Sequence, residues 1–208
     1  MLLKLDKINF DNIKYIQSKK PSFFFIKHQT NERFIFQTPK LHHKYPVREL
    51  KGHTTFAEMD IPLDNPILHN FFEGLENKII TNIHENVNNW FGAQLTEVKF
   101  KTIIRTDEER PYFRIKLVNN EHYRTKIYQD GLAEETTLSH LELHNTYESY
   151  IRLILEIYGL CILDNQISII IIPHKISVMQ IMKDIEFSNE LSEEKIDCDE
   201  LLNSHKKN

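Results

Sequence analysis

Three consecutive segments decide how this chain folds: Val98-Lys-Phe-Lys-Thr-Ile-Ile-Arg105, Tyr112-Phe-Arg-Ile-Lys-Leu-Val118 and Arg124-Thr-Lys-Ile-Tyr128. Each alternates apolar and polar residues, the pattern of a strand with one buried face. Read as strands, they point Val98, Phe100, Ile104, Phe113, Ile115, Leu117, Thr125 and Ile127 inward. Lys99, Lys101, Arg105, Tyr112, Arg114, Lys116, Arg124, Lys126 and Tyr128 point the other way, and Ile103 is the one apolar residue on that side. The polar face then carries seven cations, two tyrosines and no carboxylate. A sheet so dressed holds a polyanion with its charges and stacks rings on its bases. These nine residues are the candidate nucleic-acid-binding set. Two other readings stand beside it: a solvated face whose lysines guard against edge pairing, and a face for a protein partner.

Working outward, 208 residues suit one domain, or one domain with a subdomain and tail. An apolar content of 40% is enough for a core, and the net charge of −4 means that any basic behaviour is local. Cys161 and Cys198 fit no paired metal or redox spacing and read as reduced thiols of an intracellular protein. The start is charged within six residues, unlike a signal peptide. The longest apolar run, 167–173, is strand-sized and too short to span a membrane.

Residues 1–20 leave strand and helix open. Ser22–Lys27 and Arg33–Gln37 read as a hairpin around a loop of about five residues. Phe23–Phe25 is a candidate base platform, although runs apolar on both faces usually pack in a core. Residues 38–53 read as a basic loop broken by Pro39 and Pro46, either an arm that closes over a strand of nucleic acid or an ordinary surface loop; 54–61 reads as a strand. Pro66–Phe91 is the clearest helical pattern, with Asp64 or Asn65 as N-cap and Pro66 in the first turn; Gly74 and Thr81 weaken its middle, so two helices remain an alternative. Its stripe should cover the inner face of the sheet, with Trp90 read as core rather than as a base-stacking ring. Later, 146–163 reads as strand rather than helix, 166–172 as a strand that Pro173 breaks, and 175–182 as a further alternating run. From 184 onward eight carboxylates face three lysines, which marks an acidic, mobile tail.

Catalytic constellations are weak. His140 and His144 would share a face if the segment is helical, and would stand too far apart for one ion if it is a strand; they lack the His-Glu-x-x-His arrangement, and His42-His43 has no third ligand. Asp107-Glu108-Glu109 reads as a charged turn, with a Mg²⁺-binding nuclease site as the rival reading. No phosphate loop or dinucleotide fingerprint is present. The expectation is therefore a non-enzyme without metal or cofactor.

Asn89-Trp-Phe-Gly, Glu97-Val-Lys-Phe-Lys-Thr-Ile-Ile-Arg105 and Pro111-Tyr-Phe-Arg-Ile-Lys-Leu117, with the later strands over 153–180, resemble the single-stranded DNA-binding proteins of large nucleocytoplasmic DNA viruses. The resemblance implies an OB-like barrel, a sequence-tolerant groove and a role in viral genome replication, recombination or repair.

The resulting expectation is an α+β, mainly β fold: an OB-like barrel over 1–183 with one long packed helix, and an acidic tail over 184–208. Its function would be coating single-stranded DNA, with RNA as the alternative ligand. Replication proteins would dock on the tail, oligomers are compatible, and no membrane is involved. It would work inside the cell, in the host cytoplasm or virion if viral. The alternatives are a structural or scaffold protein and a small metal-dependent nuclease.

Overall fold

The computed structural model describes residues 2–29, 32–50, 55–91, 99–108, 110–120, 123–129, 135–136, 149–163 and 165–179. Two 3-10 turns, Leu5–Lys7 and Phe10–Asn12, lead into β1 (Ile13–Gln17), β2 (Phe23–His28), β3 (Glu32–Arg33), β4 (Ile35–Gln37), β5 (Leu41–His42), β6 (Arg48–Glu49) and β7 (Thr55–Pro62). Helix α1 (Pro66–Phe91) follows, then β8 (Lys99–Lys101), β9 (Arg105–Asp107), β10 (Arg110–Val118), β11 (Lys126–Gln129), β12 (Glu135–Thr136), β13 (Tyr150–Leu163) and β14 (Gln166–Met179).

The strands form two sheets. The larger runs β1-β2-β13-β14-β11-β12, with β3 on β2, β4 and β5 along β13, and β8 on β14; the smaller runs β6-β7-β10-β9. The larger sheet curls into a half-barrel, and mainly β with one long helix is the fold class the sequence predicts. Its spine is the β13–β14 hairpin, whose turn places Asn165 at φ 59°, a left-handed conformation that asparagine tolerates. The register of this hairpin shifts twice, between Ile154 and Leu155 and between Ile157 and Gly159. His174 on one strand and Tyr158 on the other are left without a register partner. Such bulges bend and twist a sheet and re-aim side chains.

Pro173 does not break the strand, contrary to expectation: β14 runs through it. The proline sits beside the bulged His174, and among the described residues no strand pairs with that stretch of β14's second edge, between β8 and β11. A missing N–H is tolerated at such a place. The expected hairpin after residue 22 forms, but β3 stays with β2 for only Lys27↔Arg33 and His28↔Glu32 before β4 leaves to pair with β13. The expected loop over 38–53 holds two short strands, β5 and β6.

Helix α1 is continuous. The Asn65 side chain accepts from the backbone N–H of Ile67 at 3.0 Å and of Leu68 at 3.3 Å, as its N-cap role requires. Thr81 donates back to the Asn77 carbonyl, and the Phe10 ring lies where a Cβ on Gly74 would stand. Leu68, Phe71, Phe72, Leu75, Ile79 and Ile83 are buried. Phe72 meets Phe113 of the smaller sheet at 4.5 Å, and Phe71 meets Phe36 of the larger at 4.7 Å. The helix therefore packs against the apolar faces of both sheets. Trp90 packs into this core between Tyr15 and Phe24, with ring centroids at 4.6 and 5.2 Å. The Tyr15 hydroxyl receives a hydrogen bond from Asn82 at 2.9 Å; burial, against that bond, pushes its pKa up to about 12.

The three opening segments keep their alternation: Phe113, Ile115, Leu117, Thr125 and Ile127 are buried. They do not share one surface. The first is broken at 102–104, where the chain leaves the larger sheet for the smaller; the N–H groups of Ile103 and Ile104 donate to Glu76 of α1, and Ile103 is buried. The second segment is β10 of the smaller sheet, and the third returns to the larger as β11. Val98, Glu109, His140, His144, Cys198 and the acidic tail lie outside the described residues.

Candidate nucleic-acid interface

The nine candidate residues divide between the sheets. In the smaller one, Tyr112, Arg114 and Lys116 register opposite Pro62, Asp60 and Glu58 of β7, and Arg105 registers opposite Tyr112. The register brings carboxylates to the cations. Arg114 donates to Asp60 through Nε at 2.7 Å and Nη2 at 3.1 Å, and its Nη1 lies 3.6 Å from Glu58. Arg48 pairs with the same Asp60, and Lys116 Nζ is 3.7 Å from Glu58. Arg114 is 20% exposed, and its hydrogen bonds to Asp60, against its burial, hold its pKa above the ordinary arginine value. Tyr112 packs on Tyr45 at 5.5 Å. Four cations, Arg48, Arg105, Arg114 and Lys116, meet two carboxylates on this face; Arg48 and Lys116, 46% and 66% exposed, reach into solvent, while Arg114 is held by Asp60 and Glu58. Arg114 is thus a structural ion-pair partner, and sequence reasoning missed this because the carboxylates come from a strand about fifty residues earlier.

The larger sheet gathers Lys99, Lys101, Lys126 and Tyr128 on one face. β8 and β11 both run parallel along the same edge of β14: Lys101 beside Ser168, Lys126 beside Lys175. Seven residues of strand separate those points, about 23 Å. Arg124, just before β11, is exposed. The other strands add residues that the sequence reading did not select. Arg152 registers beside Ser177, and Lys175 beside Ile154, so both join this face, turned away from the buried Ile151, Leu153, Ile176 and Val178. Lys175 Nζ sits 3.9 Å from the Tyr128 ring centroid, and Lys40 Nζ 4.2 Å from that of Tyr150, itself beside His42. Lys126 and Lys175 register beside each other on adjacent parallel strands, which concentrates positive charge there.

Of the described side chains in the interior of this face, Glu156 is the one carboxylate. It is 1% exposed and ion-paired to Arg33, with His174 Nε2 at 2.8 Å. Tyr123 donates to the Pro173 carbonyl at 2.7 Å and lies 3.0 Å from His174 Nδ1. Burial alone would raise the Glu156 pKa, but the hydrogen bonds from His174 and Arg33 outweigh it and hold the carboxyl below its ordinary value. Glu135 registers opposite Tyr128 at the sheet edge. The signal for the missed residues was present: Tyr150, Arg152 and Tyr158 take the polar side of an otherwise apolar strand.

Among the described residues no group of three or more His, Cys, Asp or Glu is placed to hold a metal ion. Asp107 and Glu108 lie at the β9–β10 turn, where Glu108 has φ 44°. No helix of the described residues is long and apolar enough to cross a membrane.

Fold and site together define a class: a half-barrel β protein with a helix on its inner side and a cationic, ring-lined outer sheet face. No family model matches the sequence, and no curated protein matches it. Among solved structures, the chain is similar to the single-stranded DNA-binding protein of bacteriophage Enc34 in its C-terminally truncated form, at 10% identity and a TM-score of 0.47, over 81% of this chain and 96% of that one. The complex of that phage protein with single-stranded DNA matches at 11% identity and a TM-score of 0.37, over the same shares.

Proposed function

We propose that this protein binds single-stranded DNA without base specificity, on the outer face of the larger sheet, as a stoichiometric coat in replication, recombination or repair of a viral genome. The observation that supports the reading is the charge pattern of that face. Lys99, Lys101, Lys126, Arg152 and Lys175 lie on it with Tyr128 and Tyr150, and its one described interior carboxylate is neutralised. A polyphosphate chain releases counterions when such cations bind it, and unpaired bases stack on the rings.

The test is fluorescence polarisation with labelled oligo-dT at two salt concentrations, with oligo-rU as competitor. Binding that weakens with salt, with a logarithmic slope of about −0.7 per phosphate contact, is the expected result. Absent binding at low salt, or binding indifferent to salt, removes the reading.

A further inference from the structure

At the β1–β2 end of the same face, the rings of Phe23, Phe25 and Tyr158 form a triangle. The centroids are 5.1 Å apart for Phe23–Phe25, 5.4 Å for Phe25–Tyr158 and 5.7 Å for Phe23–Tyr158. All three are half-buried. Phe24 and Ile26, which alternate with them, are buried in the core and account for the cohesion of β2. The outer rings are therefore not needed to fill the interior. Two local devices hold them in place. Tyr158 is the bulged residue of β13, turned outward beside Gly159. Gly159 registers opposite Phe25, and a Cβ there would stand 2.6 Å from the Phe23 ring and 2.4 Å from the Phe24 carbonyl. Only glycine lets β2 and the ring lie this close to β13.

The surroundings are cationic. Lys27 Nζ lies 5.9 Å from the Phe25 centroid. Lys14 registers directly opposite Lys27, and among the described residues no carboxylate pairs with either. Arg33, half-exposed and ion-paired to Glu156, registers on the far side of Lys27. Like charges placed opposite on neighbouring strands oppose folding, and an anion seated between them reverses the sign.

We propose that Phe23, Phe25 and Tyr158 form a base-stacking platform for one or two unpaired nucleobases, with Lys14 and Lys27 holding the adjoining phosphates. This rests on the single-stranded DNA reading above and places one end of the strand's path. From here to Lys175 is about 13 Å and to Tyr128 about 20 Å along β13, a length that suits the site sizes of about 4–16 nucleotides for such folds. The charge favours a polyanion over a proline-rich or aromatic peptide, which would not need the paired lysines.

The experiment uses the full chain with two labelled ligands of equal length: oligo-dT and an abasic deoxyribose-phosphate oligomer. Wild type should prefer oligo-dT about tenfold or more. Phe25→Leu with Tyr158→Leu should lower oligo-dT affinity about tenfold or more, leave abasic affinity unchanged and bring the ratio toward one. Tyr158→Phe should restore the preference. Photocrosslinking of wild type to an oligomer containing 5-iodouracil should label peptides carrying Phe23, Phe25 or Tyr158, whether or not the double variant folds. If oligo-dT binds but the variant keeps the wild-type ratio, or the crosslinks fall elsewhere, the platform is overturned and the wider reading survives. If wild type binds neither ligand, both fall together.

Discussion

Neutralising Lys99 and Lys101 separates the face the structure presents from the one the opening segments suggest. Both side chains are exposed, lie on β8 beside Gln166 and Ser168, and pair with no carboxylate among the described residues. Each phosphate contact on a single strand contributes a slope of about 0.7 in log K against log salt. Between 1 M and 0.1 M salt that is about 0.7 decade per contact. Lys99→Gln with Lys101→Gln should therefore make the slope shallower by about 1.4 and lower affinity about 25-fold at 0.1 M, or about 1.9 kcal/mol. Stability should stay within about 0.5 kcal/mol, because no described contact is lost. Arg114→Gln is the counterpart. It strips Asp60, a mostly buried carboxylate, of its bidentate partner and should cost about 1–3 kcal/mol in urea unfolding. Its effect on oligo-dT binding should be within about twofold, since its charge is already matched. Polarisation titrations at four salt concentrations with urea melts of all variants decide the matter. The reasoning is refuted if Arg114→Gln weakens binding as much as the lysine pair while its melt is unchanged.

Three further outcomes follow from the same geometry. Trp90, the chain's single tryptophan, packs between Tyr15 and Phe24 in the core, so saturating oligo-dT should change its fluorescence by less than about a tenth; strong quenching would put the DNA on the wrong side of the sheet. Lys14→Gln should raise stability by about 0.2–1 kcal/mol by removing the Lys14–Lys27 repulsion, while weakening oligo-dT binding about fivefold at 0.1 M salt; a change of the same sign in both assays contradicts it. Glu156, held below its ordinary value of 4.5, contributes stability that is present above that pH and lost as pH falls through its folded value. Glu156→Gln should therefore be about 1–3 kcal/mol less stable than wild type at pH 7, and unfolding series should show the gap narrowing below pH 4.5.

The alternation of β10 and β11, the helix with its Asn65 cap and the strand character of β13 were legible because each rests on spacing within one segment. The partners of those segments were not, because a period-two pattern says which side chains share a face but not what the next strand brings to it. Asp60 and Glu58 carry the consequence: read along the chain they belong to an unremarkable strand, yet register sets them against Arg114 and Lys116 and cancels the charge there. One mark of the true topology did lie in the sequence. Ile103 breaks the alternation of the first segment, and an apolar residue on a polar face calls either for exposure at a cost or for a change of face. The chain changes face: it turns at 102–104, the freed N–H groups go to Glu76, and Ile103 enters the core. The same logic explains Phe23–Phe25, where three apolar residues in a row suggested a strand buried on both sides. A buried central residue with two half-exposed neighbours is instead what a one-sided strand gives when its outer positions carry rings. Rings held at a sheet surface by a bulge and a glycine, with lysines registered opposite one another beside them, leave like charges that no described carboxylate separates and half-exposed apolar area. The ligand proposed above, a chain that alternates anionic links with flat, unpaired bases, would relieve both.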